Sequence, residues 1–200
     1  MLNTKPILKF VLVFFLAYGI LIAISPVFRN QTGNYLAFLG NHFLSSPVKN
    51  SFVSFYRNKE KFDIEIRVGN IKQEVNGTVQ RYHEKLSSYD FLYMPVALLA
   101  ALILASPVST KRKLFSFAIS LFFVHLMTLS RMYLQILHIG TSHLSLDLIS
   151  SNESTQRFIN LMHAYFVSYG AVKLFVVIFI WLAVTFRKED LALVRSESGS

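Results

Sequence analysis

The sequence predicts an all-α membrane protein with four transmembrane helices, both termini on the cytoplasmic side, and a small outer-face segment made of an amphipathic helix and a short β-meander. Three observations carry this. The chain is 53% hydrophobic and 14% aromatic over 200 residues, and most of that excess over an ordinary soluble domain is gathered into four blocks. Basic clusters close those blocks on one side only, at Lys5 and Lys9, at Lys111-Arg112-Lys113 and at Arg187-Lys188, as cytoplasmic ends do. One stretch, Phe62 to Val68, alternates apolar and charged residues strictly, which is the period of a half-buried strand.

Residues 1–27 form the first transmembrane helix, with an apolar run from Phe10 to Ser25 ended by Pro26. A cleaved signal peptide has the same outline. An uncleaved span is preferred, because no small-x-small site precedes Pro26 cleanly and the rest of the chain is itself polytopic. Residues 28–88 form the extracytoplasmic segment. Tyr35 to Val48 places apolar residues at helical intervals, either on the outer leaflet or against the spans. Beyond it, turn signals at Gly69-Asn70 and Asn76-Gly77 divide the polar stretch into a meander through about Tyr82. Residues 89–188 form a three-helix membrane core. Its spans are Phe91 to Ser106, with Pro95 one turn inside; Leu114 to Ser130, seventeen residues without a charge; and Leu161 to Phe186. The outer loop Gly140 to Arg157 carries Asp147, Glu153 and Arg157, a net charge of −1 that agrees with the topology. Residues 189–200 read as a disordered cytoplasmic tail. Asn30, Asn76 and Asn152 each open a glycosylation acceptor sequence on the outer side.

The formal charge of +9 has no separate basic domain to sit on, so nucleic acid is not the partner it implies. With no cysteine the chain has no disulfide, thiolate nucleophile or thiolate metal site, and nothing in it calls for a metal or a cofactor. The ionisable residues within the apolar blocks are the functional candidates, since burying them in a membrane is costly. Counted from the cytoplasmic ends at 1.5 Å per residue, Arg131, His163 and Asp90 fall within about one turn of the outer interface. His125 and Lys173 fall near the midplane. An arginine at an interface can also snorkel, and a histidine inside a span can simply join two helices.

This order of parts resembles the exosortase and archaeosortase family, its short bacterial members especially. Three stretches carry the resemblance: SSYDFLYMPVALLAALILASP, TKRKLFSFAISLFFVHLMTLSRMYL and INLMHAYFVSYG, covering roughly Ser87 to Lys188, about half the chain. The family consists of polytopic, transpeptidase-like enzymes that cut a C-terminal sorting signal with a cysteine, an arginine and a histidine at the outer face. The resemblance implies that Arg131 and His163 are the arginine and the histidine. The cysteine's place, just before the second span, holds Ser87, Ser88, Tyr89 and Asp90 instead, and Leu129-Ser130 stands where an asparagine often precedes the arginine.

A serine in that place needs a much stronger base than a thiol does. Three readings are open: a non-catalytic relative, a variant in which Ser88 or Asp90 attacks, and an engineered cysteine-to-serine form. The expectation is an exosortase-like protein of the bacterial inner membrane, a pseudoenzyme of the cell envelope that binds a partner's membrane or sorting segment or assists an export system. Its expected surroundings are the lipid bilayer and a membrane protein partner. A structural subunit of a larger membrane complex is the alternative, and a transporter built on His125 and Lys173 is weaker for want of an inverted repeat.

Overall fold

The computed structural model describes residues 4–45, 51–58, 63–75, 78–143, 148 and 152–186. The described chain is mostly helical, with one three-stranded sheet between its second and third helices. Helix α1 (Thr4–Ala23) leads into α2 (Ser25–Phe43) through a bend of 70°. Pro26 explains the break: it offers no N–H to continue α1 and suits the first turn of a new helix. The helix expected over residues 1–27 therefore stops at Ala23, and the chain turns into a helix that starts ten residues earlier than the Tyr35 expected from periodicity.

Strands β1 (Ser51–Asn58), β2 (Asp63–Val75) and β3 (Thr78–Leu86) form an antiparallel meander in sequence order. Ile64, Ile66 and Val68 all face inward and are fully buried, as the alternation predicts; Phe62 lies outside the described residues. The turn expected at Gly69-Asn70 is not there. Gly69 and Asn70 continue β2 opposite Phe52 and Ser51, and an irregularity of register against β3 comes between Gly69 and Glu74. Glycine inside a strand marks such a bulge as readily as a turn. The turn expected at Asn76-Gly77 lies outside the described residues; Val75 before it pairs with Thr78 after it.

Helix α2 packs against β1 and β2 and buries Gly33, Leu36, Ala37, Leu39 and Gly40. At Gly40 the approach is so close that a Cβ would stand 2.5 Å from the Phe55 ring. Of the two placements open to this segment, one face packs inward, onto the sheet above all; Phe28, Tyr35, Phe38 and Phe43 stay exposed on the rest. Asn41 adds an anchor: its amide donates to the Phe55 carbonyl and accepts from the Phe55 N–H, each at 2.8 Å.

A π-helical turn (Tyr89–Tyr93) opens α3 (Met94–Ala105), and α4 (Thr110–Ser142) comes next. Helix α5 (Glu153–His163) begins at an Asn152 cap, runs into a second π-helical turn (Ala164–Ser168), and breaks by 73° at Tyr169 into α6 (Gly170–Thr185). Trp181 of α6 stacks on Phe10 of α1 and donates to the Ser106 hydroxyl at 2.8 Å, which ties the first and last described helices to the end of α3. Among the described residues, helix α4 alone is long and apolar enough to cross a membrane. Each bent pair, α1 with α2 and α5 with α6, passes the same test when taken together, and α3 with its π turn is a shorter apolar helix. By length and composition, one described helix is enough for a span, or up to three when each bent pair counts as one. The tail expected to be disordered, 189–200, lies outside the described residues.

Candidate functional site

Helix α4 brings a polar row to the interior: Ser116, Ser120, Thr128, Arg131 and Gln135 are all buried and spaced three or four residues apart or multiples of that. Arg131, only 2% exposed, is the centre of the site. It does not snorkel. Its Nε donates to the Phe166 carbonyl at 2.9 Å, one terminal nitrogen to the Asp90 carbonyl at 3.3 Å and the other to the Val167 carbonyl at 3.4 Å. The guanidinium also lies 4.2 Å from the centre of the Phe91 ring, a cation–π contact.

All three carbonyls belong to the two π turns, one leading into α3 and one ending α5. A π turn loosens the regular bonding of a helix, and such turns recur at functional sites. Here they meet across the arginine and supply it with acceptors that carry no formal charge.

A cavity of about 380 Å³ opens beside this centre, between the end of β3 and the helices. Arg131, His163 and Asp90, expected from sequence at one depth, all line it. Lys173, expected at the midplane with His125, lines it as well: its Nζ lies 2.8 Å from the Asp90 carboxylate, with the lysine side chain 7% and the aspartate 50% exposed. The break at Tyr169 is what brings Lys173 to Asp90. His125 stays outside the cavity, with Nδ1 donating to the Leu121 carbonyl at 2.7 Å and its ring edge-on to Tyr35.

His163 is held by two groups that sequence reasoning missed. Its Nε2 is 2.9 Å from the Gln135 side-chain oxygen, so that nitrogen carries the proton, and its ring stacks on His138 at 3.9 Å. His138 in turn meets Asn160 at 3.0 Å. The signal was present in the spacing, since Gln135 and His138 stand four and seven residues beyond Arg131 and so on its face of α4.

Ser88 does not line the cavity; it is fully buried and its hydroxyl has no hydrogen-bond partner among the described residues. Ser87 lines it instead, and its hydroxyl accepts from the Asp90 N–H at 3.3 Å. Among the described residues, no hydrogen bond joins either serine to a base, and no cluster of histidine and acidic residues could hold a metal ion. The cavity therefore offers donors and positive charge: Arg131, Lys173 and Lys85 stand against Asp90 and Glu84. Compared with protein-family models, with curated proteins and with solved structures, the chain matches none.

Proposed function

We propose that this chain is an exosortase-like integral protein of the bacterial cell envelope that binds a partner's membrane or sorting segment in the Arg131 cavity and does not cut it. In this reading it crosses the inner membrane four times: through the two bent pairs, through α3 and through α4.

One observation carries the proposal. A buried arginine and a hydrogen-bonded histidine share a cavity with a lysine–aspartate pair, while neither serine at the expected nucleophile position is joined to a base among the described residues. Such a set holds a carbonyl or carboxylate by directed donors. Acyl transfer would further require an activated nucleophile within reach of a base. The resemblance of Ser87 to Lys188 to exosortases supports the same cavity through Arg131 and His163.

The test is co-purification from the native membrane of the wild-type chain beside Arg131→Gln, His163→Asn and His125→Asn. The expected result is an intact partner kept by wild type and His125→Asn and lost by the other two. A partner recovered with its C-terminus cut, the cutting abolished by Asp90→Asn or Ser87→Ala, would replace this reading with a working enzyme. A complex unchanged by every substitution would leave a structural subunit.

A further inference from the structure

The two edges of the sheet are unlike. On β1 the outward groups are occupied, Phe55 by the Asn41 amide at 2.8 Å on both its N–H and its C=O, and the Val53 N–H by the Ser45 carbonyl at 3.1 Å. These bonds fix the parity of the whole ladder. Phe55 turns its backbone groups away from β2, so it and its partner Ile66 form a pair without mutual hydrogen bonds. Ile66 must then exchange its bonds with Glu84 on the other side, which leaves Arg81, His83 and Lys85 pointing N–H and C=O out of the sheet.

No backbone bond to another described residue takes up those outward groups, and all three residues are exposed. An open strand edge is a template for a further strand. This one runs into the site, because Glu84, Lys85 and Ser87 line the Arg131 cavity. Inside the cavity Arg131 spends three of its five N–H donors on carbonyls and keeps two, while Asp90 is committed to Lys173.

We propose that β3 takes up an extended peptide as a fourth strand, which delivers a carboxylate into the Arg131 cavity. This rests on the reading of the cavity as a binding site and names its ligand class. The carboxylate comes either from a chain terminus or from an acidic side chain, and the chemistry at Arg131 is the same.

The experiment uses the full chain in lipid nanodiscs and a fluorescent peptide of alternating Val and Thr, about six residues long to match an ordinary strand. It is made with a free C-terminus, with an amidated C-terminus, amidated with one Glu, and with alternate backbone nitrogens methylated. Without peptide, the amides of Arg81, His83 and Lys85 exchange with solvent faster than those of Tyr82 and Glu84. The free-acid peptide slows those three amides, and methylation weakens its binding by about tenfold or more, the equivalent of one or two lost hydrogen bonds. His83→Pro, which removes an outward N–H that no ladder bond uses, has the same effect, and His83→Gln does not.

An affinity lost on amidation and not restored by Glu identifies a chain terminus; one lost on amidation and restored by Glu shows that either carboxylate serves; and a gain seen with Glu alone identifies an acidic side chain. Equal binding of the acid, the plain amide and the Glu peptide overturns the carboxylate. Binding that needs Arg131, tested as Arg131→Gln, but ignores methylation and His83→Pro overturns strand addition and leaves the cavity reading standing. Failure of every peptide at millimolar concentration overturns the peptide class.

Discussion

Gly40→Ala probes the contact that seats α2 on the sheet. The new Cβ would meet three carbons of the Phe55 ring at 2.5 to 2.8 Å, where carbon atoms prefer about 3.5 to 4 Å. The ring has no room to yield, since Phe55 is 2% exposed and its backbone is held by Asn41. Helix and sheet must separate by about 1 Å, and overpacking of this kind costs about 2 to 3 kcal/mol. Against this, alanine gains about 1 kcal/mol over glycine within a helix. The net expectation is a loss of about 1 to 2 kcal/mol, or about 3 to 6 °C in Tm for a chain of this size. Gly19→Ala is the control. It meets nothing within 4 Å and should keep the helical gain of about 1 kcal/mol whole, raising Tm by about 2 to 4 °C. The assay is thermal unfolding of the purified protein in detergent. A Gly40→Ala protein as stable as Gly19→Ala would refute the close packing of α2 on β1.

Asp90→Asn leaves the Lys173 charge buried without its counter-ion, and because the aspartate is half exposed the expected loss is about 1 to 3 kcal/mol, below that of a fully buried pair. Adding Lys173→Met should recover most of it, and a double-mutant cycle in denaturant measures the coupling. Ser88→Ala should be neutral or stabilising by up to about 1 kcal/mol, because it removes a buried hydroxyl with no partner among the described residues; loss of partner binding or processing in this variant would argue that Ser88 acts chemically. Glu65 is held below the usual carboxylate range by His83 first and Arg67 second. A lowered folded-state pKa adds stability above the unfolded value of about 4.3 and loses it as pH falls through the folded value, so Glu65→Gln should flatten the decline of Tm on acidification below about pH 4.

The parts of this fold that can be read from sequence are those that depend on one unbroken element. The helix that carries Arg131 comes from the long uncharged run before it, and the inward face of Ile64, Ile66 and Val68 comes from a period of two. Counting fails where the chain bends. It puts Lys173 in a separate layer from Asp90 because it treats the last apolar block as one continuous helix, whereas the break at Tyr169 turns the lysine toward Asp90. Strand β1 is hidden for a different reason. Its buried residues include Ser51 and Ser54, and Phe52-Val53 and Phe55-Tyr56 put apolar neighbours side by side, so no alternation is visible. The bulge after Gly69 and the π turns leave no compositional mark either, because each is a matter of one residue's worth of spacing.

That one residue of spacing governs how the Arg131 centre can drift over generations. Because Asp90, Phe166 and Val167 hold the arginine through main-chain oxygens, exchanging their side chains leaves the acceptors where they are. Removing a single residue from Tyr89–Tyr93 or Ala164–Ser168 is another matter. The turn would tighten to an ordinary helical one, and everything on one side of it would swing by about 100° around the axis, carrying the oxygens away from the guanidinium. The centre is thus tolerant of altered letters and brittle to altered length.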